Sequence, residues 1–177
     1  LKEVPPAGYK EKTIDIFKGL DSQWEDVKSV YTDVAGDAIS RNFLNATGTH
    51  TYTDNSNRND ITEVKVAHDK KMLYFRITTA SPVTVYNNND VNWMNILIKT
   101  KKPGSNFAGY QYIINRKPAT RKKTSVEQSS GGYNWKASGN AQYVVKNNVM
   151  QVAVPLHAVG LTASKVSFEF KISYNET

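Results

Sequence analysis

The chain has 177 residues, 39% of them hydrophobic and 22% charged, with a formal net charge of +7. That length suits one domain with one substantial core, and the composition excludes an intrinsically disordered chain. The absence of Cys excludes disulfides, thiolate metal sites and a Cys nucleophile, and no run approaches the roughly 18 apolar residues of a membrane span.

Residues 1–12, opening Leu1-Lys2-Glu3-Val4-Pro5-Pro6, lack the apolar core of a signal peptide and read as a linker ahead of a domain over 13–177. The abrupt end at Tyr174-Asn175-Glu176-Thr177 suggests a segment excised near a domain boundary. Ser22 to Val27 has the length of a single helical turn. Ser40 to Asp60, rich in Asn, Thr and Asp, lacks periodicity and reads as a long loop, a common place for function.

From Glu63 onward the dominant signal is period-two alternation, the mark of half-buried antiparallel strands. Val64, Val66 and His68 alternate with Glu63, Lys65 and Ala67; Asp69-Lys70-Lys71 turns the chain; and Met72 to Thr78 returns as a hairpin partner. Trp93 to Lys99 is a strand apolar on both faces, hence central, and Tyr110 to Asn115 is its partner across the turn Lys102-Pro103-Gly104-Ser105. Arg116 to Lys136 lacks periodicity and reads as a second long loop. Gln142 to Lys146 and Val149 to Val154 flank Asn147-Asn148, a pair suited to the positive φ of a tight hairpin turn. Leu156 to Val159, between Pro155 and Gly160, fits one helical turn, and Val166 to Tyr174 alternates as a last strand. Many short strands without βα alternation predict an all-β fold, a single-domain antiparallel β-sandwich of jelly-roll type.

Three stretches resemble the family 9 carbohydrate-binding modules and the related DOMON-like sandwiches. They are Phe17-Lys18-Gly19-Leu20-Asp21-Ser22-Gln23-Trp24, His68-Asp69-Lys70-Lys71-Met72-Leu73-Tyr74-Phe75, and Val152-Ala153-Val154-Pro155-Leu156-His157-Ala158-Val159-Gly160-Leu161. Lys18 stands where the family has Asp, and His68 where it has Trp. The matched segments are mostly framework, so the family's binding residues are not carried over. The resemblance implies a non-catalytic, sugar-binding sandwich attached to a bacterial glycoside hydrolase. It also implies a secreted, periplasmic or cell-surface setting, no required cofactor, and structural calcium as the one ion of note. The partners it implies are a polysaccharide or oligosaccharide and an adjacent domain of the same full-length chain.

Sugar recognition needs flat apolar faces for the C–H side of a pyranose and planar polar groups for its hydroxyls. Gly131-Gly132-Tyr133-Asn134-Trp135 offers both, with Trp135 as the first stacking platform and Tyr133 beside it; the competing role for Trp135 is covering the mouth of the core. Trp93 is divided between packing and a binding face, and Trp24 is expected to anchor the core. Arg58, Asn59 and Asp60 concentrate donors and acceptors ahead of the first hairpin, and could equally form a structural loop. Asp33 and Asp37 offer calcium oxygens or a turn held by side-chain hydrogen bonds.

Five of the eight residues from Arg116 to Lys123 are basic, with Lys99, Lys101 and Lys102 shortly before. This 99–123 region is an exposed basic loop or a patch for anionic polysaccharide. Nucleic acid is the less favoured anion, for want of a recognition motif. His50, His68 and His157 show no zinc spacing, and no nucleophile elbow or phosphate-binding glycine loop is present, so catalysis is not expected.

Overall fold

The computed structural model describes residues 11–32, 59–90, 92–120 and 122–173, together with the backbone of 41–44 and 51–54. The protein is all-β. Its strands are β1 (Ser29–Thr32), β2 (Arg41–Leu44), β3 (Thr51–Asp54), β4 (Ile61–His68), β5 (Met72–Thr79) and β6 (Asn95–Thr100). Then come β7 (Tyr112–Ile114), β8 (Lys123–Gly131), β9 (Asn134–Lys146), β10 (Val149–Pro155) and β11 (Phe168–Ser173). Short 3-10 turns at Asp21–Trp24 and Leu156–Val159 sit where the sequence placed single helical turns.

Nine strands form one antiparallel sheet in the order β1-β4-β5-β10-β9-β8-β7-β6-β11, and β2 and β3 pair as a separate hairpin. The sheet curls back on itself. Phe170 of β11, at one end of the order, lies 4.9 Å from Tyr31 of β1 at the other end and 5.6 Å from Phe75 of β5. The two layers expected of a sandwich are thus two halves of one continuous sheet.

The alternation of the strands sets what each half buries. Leu73, Phe75 and Ile77 of β5, Met150, Val152 and Val154 of β10, Ile96 and Ile98 of β6, and Ile114 of β7 point into the main core. Each such side chain contributes about 1.5–3 kcal/mol by leaving water. The intervening residues Tyr74, Ala67 and Ala153 face the other way and are buried too. There Ile14, Ile16, Trp24 and Val27 of the N-terminal segment cover them as a second, smaller core. Trp24 is the anchor expected of it, its indole N–H donating to Gln151 Oε1 at 3.0 Å. Arg76 reaches Asp21 at 2.7 Å, and the Thr13 hydroxyl donates to Asp69 at 3.0 Å, so polar clasps flank that anchor.

Two expected loops are ordered as strands. β2 and β3 lie within 40–60, and β8 with the first three residues of β9 occupies more than half of 116–136. The second segment escapes the alternation signal because three of the four buried positions of β8 are polar, Val126 being the exception. Thr124 donates to Asn115 Oδ1 at 2.7 Å, Glu127 accepts from Arg116, and Ser129 donates to the Gly132 carbonyl at 3.2 Å. A register shift between Val126 and Glu127 further breaks the period of two. Among the described residues no helix is long and apolar enough to cross a membrane.

Candidate functional site

The tip of the β8–β9 hairpin carries the candidate site. Gly131 and Gly132 adopt φ of +122° and +53°, conformations that a side chain would strain, and this sharp reversal projects Tyr133 outward. The turn braces itself. Asn134 Nδ2 donates to the Gly131 carbonyl at 2.9 Å, the Ser129 hydroxyl to the Gly132 carbonyl, and the Ser130 hydroxyl to the Asn134 carbonyl at 3.2 Å.

Tyr133 is 43% exposed and Trp135 is half-buried. Phe107, from the loop between β6 and β7, completes a trio that the sequence did not reveal: it lies 4.9 Å from Tyr133 and 6.2 Å from Trp135, and the last two rings are 5.6 Å apart. All three pairs meet edge to face, at 69°, 68° and 87°, the arrangement favoured by ring quadrupoles. No two rings are coplanar, so the trio offers no flat multi-ring strip. Tyr133 is its most exposed member, Phe107 and Trp135 being half-buried.

Register places Leu97, Ile113, Glu127 and Ala137 in one row across β6, β7, β8 and β9. Trp135, two residues before Ala137, shares that face, which is turned away from the main core. Beside it, Arg116 donates to both Glu127 oxygens, at 2.8 and 2.6 Å. Glu127's hydrogen bonds push the Arg116 pKa up and hold its charge in place, although burial works against this.

The remaining sequence candidates go elsewhere. Trp93 is only 4% exposed, donates its indole N–H to the Thr84 carbonyl at 2.9 Å and packs against Tyr86 and Tyr143, so of its two readings the structure takes packing. Asn59 and Asp60 are 2% and 5% exposed. The Asn59 amide brackets Thr84, accepting from its backbone N–H at 2.8 Å and donating to its hydroxyl at 2.9 Å, which is the structural-loop alternative. Arg58, Asp33 and Asp37 lie outside the described residues. Among the described residues no three His, Asp or Glu side chains are grouped to hold a metal ion.

The 99–123 basic region is divided by the fold. Lys101 and Lys102 precede β7 and Lys117, Lys122 and Lys123 follow it, at opposite ends of that strand. Lys99 pairs with Glu169 at 3.3 Å, Arg116 with Glu127, and Lys122 lies over the Phe17 ring at 5.4 Å. A cavity of about 360 Å³ lies between the N-terminal segment and the β4–β5 turn, lined by Glu11, Lys12, Thr13, Asp69, Lys70 and Lys71. Of its two carboxylates, Asp69 is occupied by the Tyr74 hydroxyl and by the backbone N–H groups of Lys71 and Met72 in addition to Thr13.

No protein-family model matches the chain, and neither does any curated protein or solved structure.

Proposed function

We propose that the chain is a non-catalytic carbohydrate-binding module of a larger secreted, periplasmic or cell-surface glycan-processing protein, and that it stacks a pyranose on Tyr133. The observation that carries the reading is an exposed aromatic face held by two edge-to-face neighbours on a self-braced hairpin tip. Such a platform loses little conformational freedom when a ligand arrives. Trp135 supports the platform and supplies a second ring wall; the edge-to-face geometry suits one sugar ring at a time rather than a flat array. One exposed face buries little area, so affinity is weak.

Affinity electrophoresis through gels containing β-glucan, xylan, galactomannan or pectin tests the reading. At least one polysaccharide retards the protein, and Tyr133→Ala weakens that retardation about tenfold or more while the far-ultraviolet circular dichroism is unchanged. Unretarded migration of the wild type in every gel would overturn the proposal.

A second reading, a domain that positions a neighbouring catalytic domain without binding sugar, draws on the half-burial of Trp135. It predicts that the full-length protein loses catalytic-domain stability when this domain is removed, with no glycan retarding the isolated domain. A third, binding of anionic polysaccharide through the 99–123 basic residues, predicts retardation by pectin alone and a steep loss with added salt.

A further inference from the structure

The ion pair of Arg116 with Glu127 does not use all of the arginine. A guanidinium can bind along its side edge, through Nε and one Nη, or along its end edge, through both Nη atoms. Here Nε and Nη2 donate to the Glu127 oxygens, at 2.8 and 2.6 Å, and no hydrogen bond among the described residues engages Nη1. The Glu127 side chain is 8% exposed, whereas Arg116 keeps 22% of its side-chain surface in solvent. The side edge is thus locked to a buried carboxylate, and the end edge is left for solvent.

The fold aims that edge toward the β8–β9 hairpin tip. β7 runs away from the tip, because Tyr112, Ile113 and Ile114 pair in turn with Gln128, Glu127 and Val126. Arg116 follows β7, so its side chain runs back toward the tip to reach Glu127. Trp135 opposes Ser129 and Ala137 opposes Glu127 on the same face, so at about 3.4 Å per residue about 7 Å of strand separates the Trp135 row from the ion pair. Tyr133 lies beyond Trp135, with 5.6 Å between ring centroids. Its field still reaches the arginine: Glu127's hydrogen bonds first, then its charge and that of Tyr133, push the Arg116 pKa up against the effect of burial. The β9 residue beside the pair is Ala137, exposed and ending in a methyl group, so that strand puts no bulk over the arginine.

We infer that the site takes a neutral oligosaccharide of at least two rings: one stacks on Tyr133, and hydroxyl oxygens of a following ring accept from the end edge of Arg116. This rests on the glycan reading above and adds the ligand's length, its charge class and its second anchor. Length follows from the row between, since the Trp135 position separates the tyrosine from the arginine and a single pyranose seated on Tyr133 stops short of the guanidinium. Charge class follows from Glu127, which already matches the guanidinium's charge. A hydroxyl oxygen accepts from the outward N–H groups without placing a second carboxylate beside the first. Glu127 also holds the guanidinium in position beforehand, so the arginine loses little side-chain freedom on binding. Neither anchor has to move.

Isothermal titration with cello-, xylo- and manno-oligosaccharides of one to three rings, and with galacturonate oligomers of the same lengths, tests this. In at least one neutral series affinity rises about tenfold or more from one ring to the length that reaches Arg116, and the galacturonate series shows a smaller rise or none. Arg116→Lys keeps a cation for Glu127 but has no end edge, and in it the rise disappears. Should Arg116→Lys fail to fold, Ala137→Glu decides. It occupies an exposed strand position and offers the end edge an internal carboxylate, so the rise again disappears while the circular dichroism is unchanged. Absence of the rise from every neutral series, its survival in the folded variant, or a steeper rise for galacturonate overturns the arginine anchor and leaves stacking on Tyr133 intact. Failure of every oligosaccharide and of all four polysaccharides to bind overturns both.

Discussion

The Asn115 side chain ties three parts of the sheet together. It is 1% exposed, follows β7, and sits at φ +69°, in the left-handed region that Asn tolerates better than most residues. Its amide donates to the carbonyls of Trp93 and Met94, each at 3.1 Å, and accepts from the buried Thr124 hydroxyl at 2.7 Å. It thereby joins the segment entering β6 to the start of β8 across the end of β7. Asn115→Ala strips two buried carbonyls and one hydroxyl of their partner, at about 1 kcal/mol each, and adds about 1 kcal/mol for Ala in the left-handed region. The expected loss is about 4 kcal/mol, which for a chain of this size lowers the melting temperature by about 8–16 °C. Asn115→Gly keeps the backbone conformation and loses the bonds, so it costs about 3 kcal/mol. Urea unfolding followed by tryptophan fluorescence measures both. A loss below about 1 kcal/mol for Asn115→Ala, or a Gly variant less stable than the Ala variant, would refute the assignment of the energy to this amide and its backbone.

Two further outcomes follow from the polar groups. Burial pushes the Asp69 carboxyl up, but the hydrogen bonds from the Lys71 N–H, the Tyr74 hydroxyl, the Met72 N–H and the Thr13 hydroxyl outweigh it and hold its pKa below the ordinary 3.8. The unfolded chain therefore takes up a proton first as pH falls, so this contribution is complete above the ordinary value and is lost as pH drops through the folded one. Comparing urea midpoints at neutral and strongly acidic pH, Asp69→Asn shows a smaller acid-induced drop than wild type; an equal drop would remove Asp69 from the acid response. Arg116→Gln leaves the Glu127 carboxylate, whose side chain is 8% exposed, without its bidentate partner, and destabilises by about 3 kcal/mol. Adding Glu127→Gln recovers a large part of that loss in the same unfolding assay, whereas additive losses would show that the two side chains act independently.

Local chemistry made the strand-rich half of the chain readable. The β4–β5 and β9–β10 hairpins stood out because apolar residues recur at every second position, as in Val64 and Val66, Leu73, Phe75 and Ile77, and Met150, Val152 and Val154, and the intervening residues are turn formers, Asp69-Lys70-Lys71 and Asn147-Asn148. Trp24 as an anchor was readable from the Leu20-Asp21 pattern ahead of it, and the 3-10 turn from the Pro155 and Gly160 that bound it. β8 was not, because Thr124, Glu127 and Ser129 are buried on the strength of partners from Asn115, Arg116 and Gly132, and sequence period says nothing about partners.

At the candidate site the sequence by itself determined that Tyr133 and Trp135 would travel together on a glycine-bearing reversal, since φ above zero needs Gly131 and Gly132. Only the tertiary structure decided their roles. Phe107 reaches the pair from a different loop, Trp135 is half-buried against it while Tyr133 stays exposed, and Trp93, a comparable aromatic in sequence, is consumed by the core. Exposure and hydrogen-bond completion depend on which neighbours the curled sheet brings in from elsewhere in the chain. A run of residues cannot encode them in its own pattern.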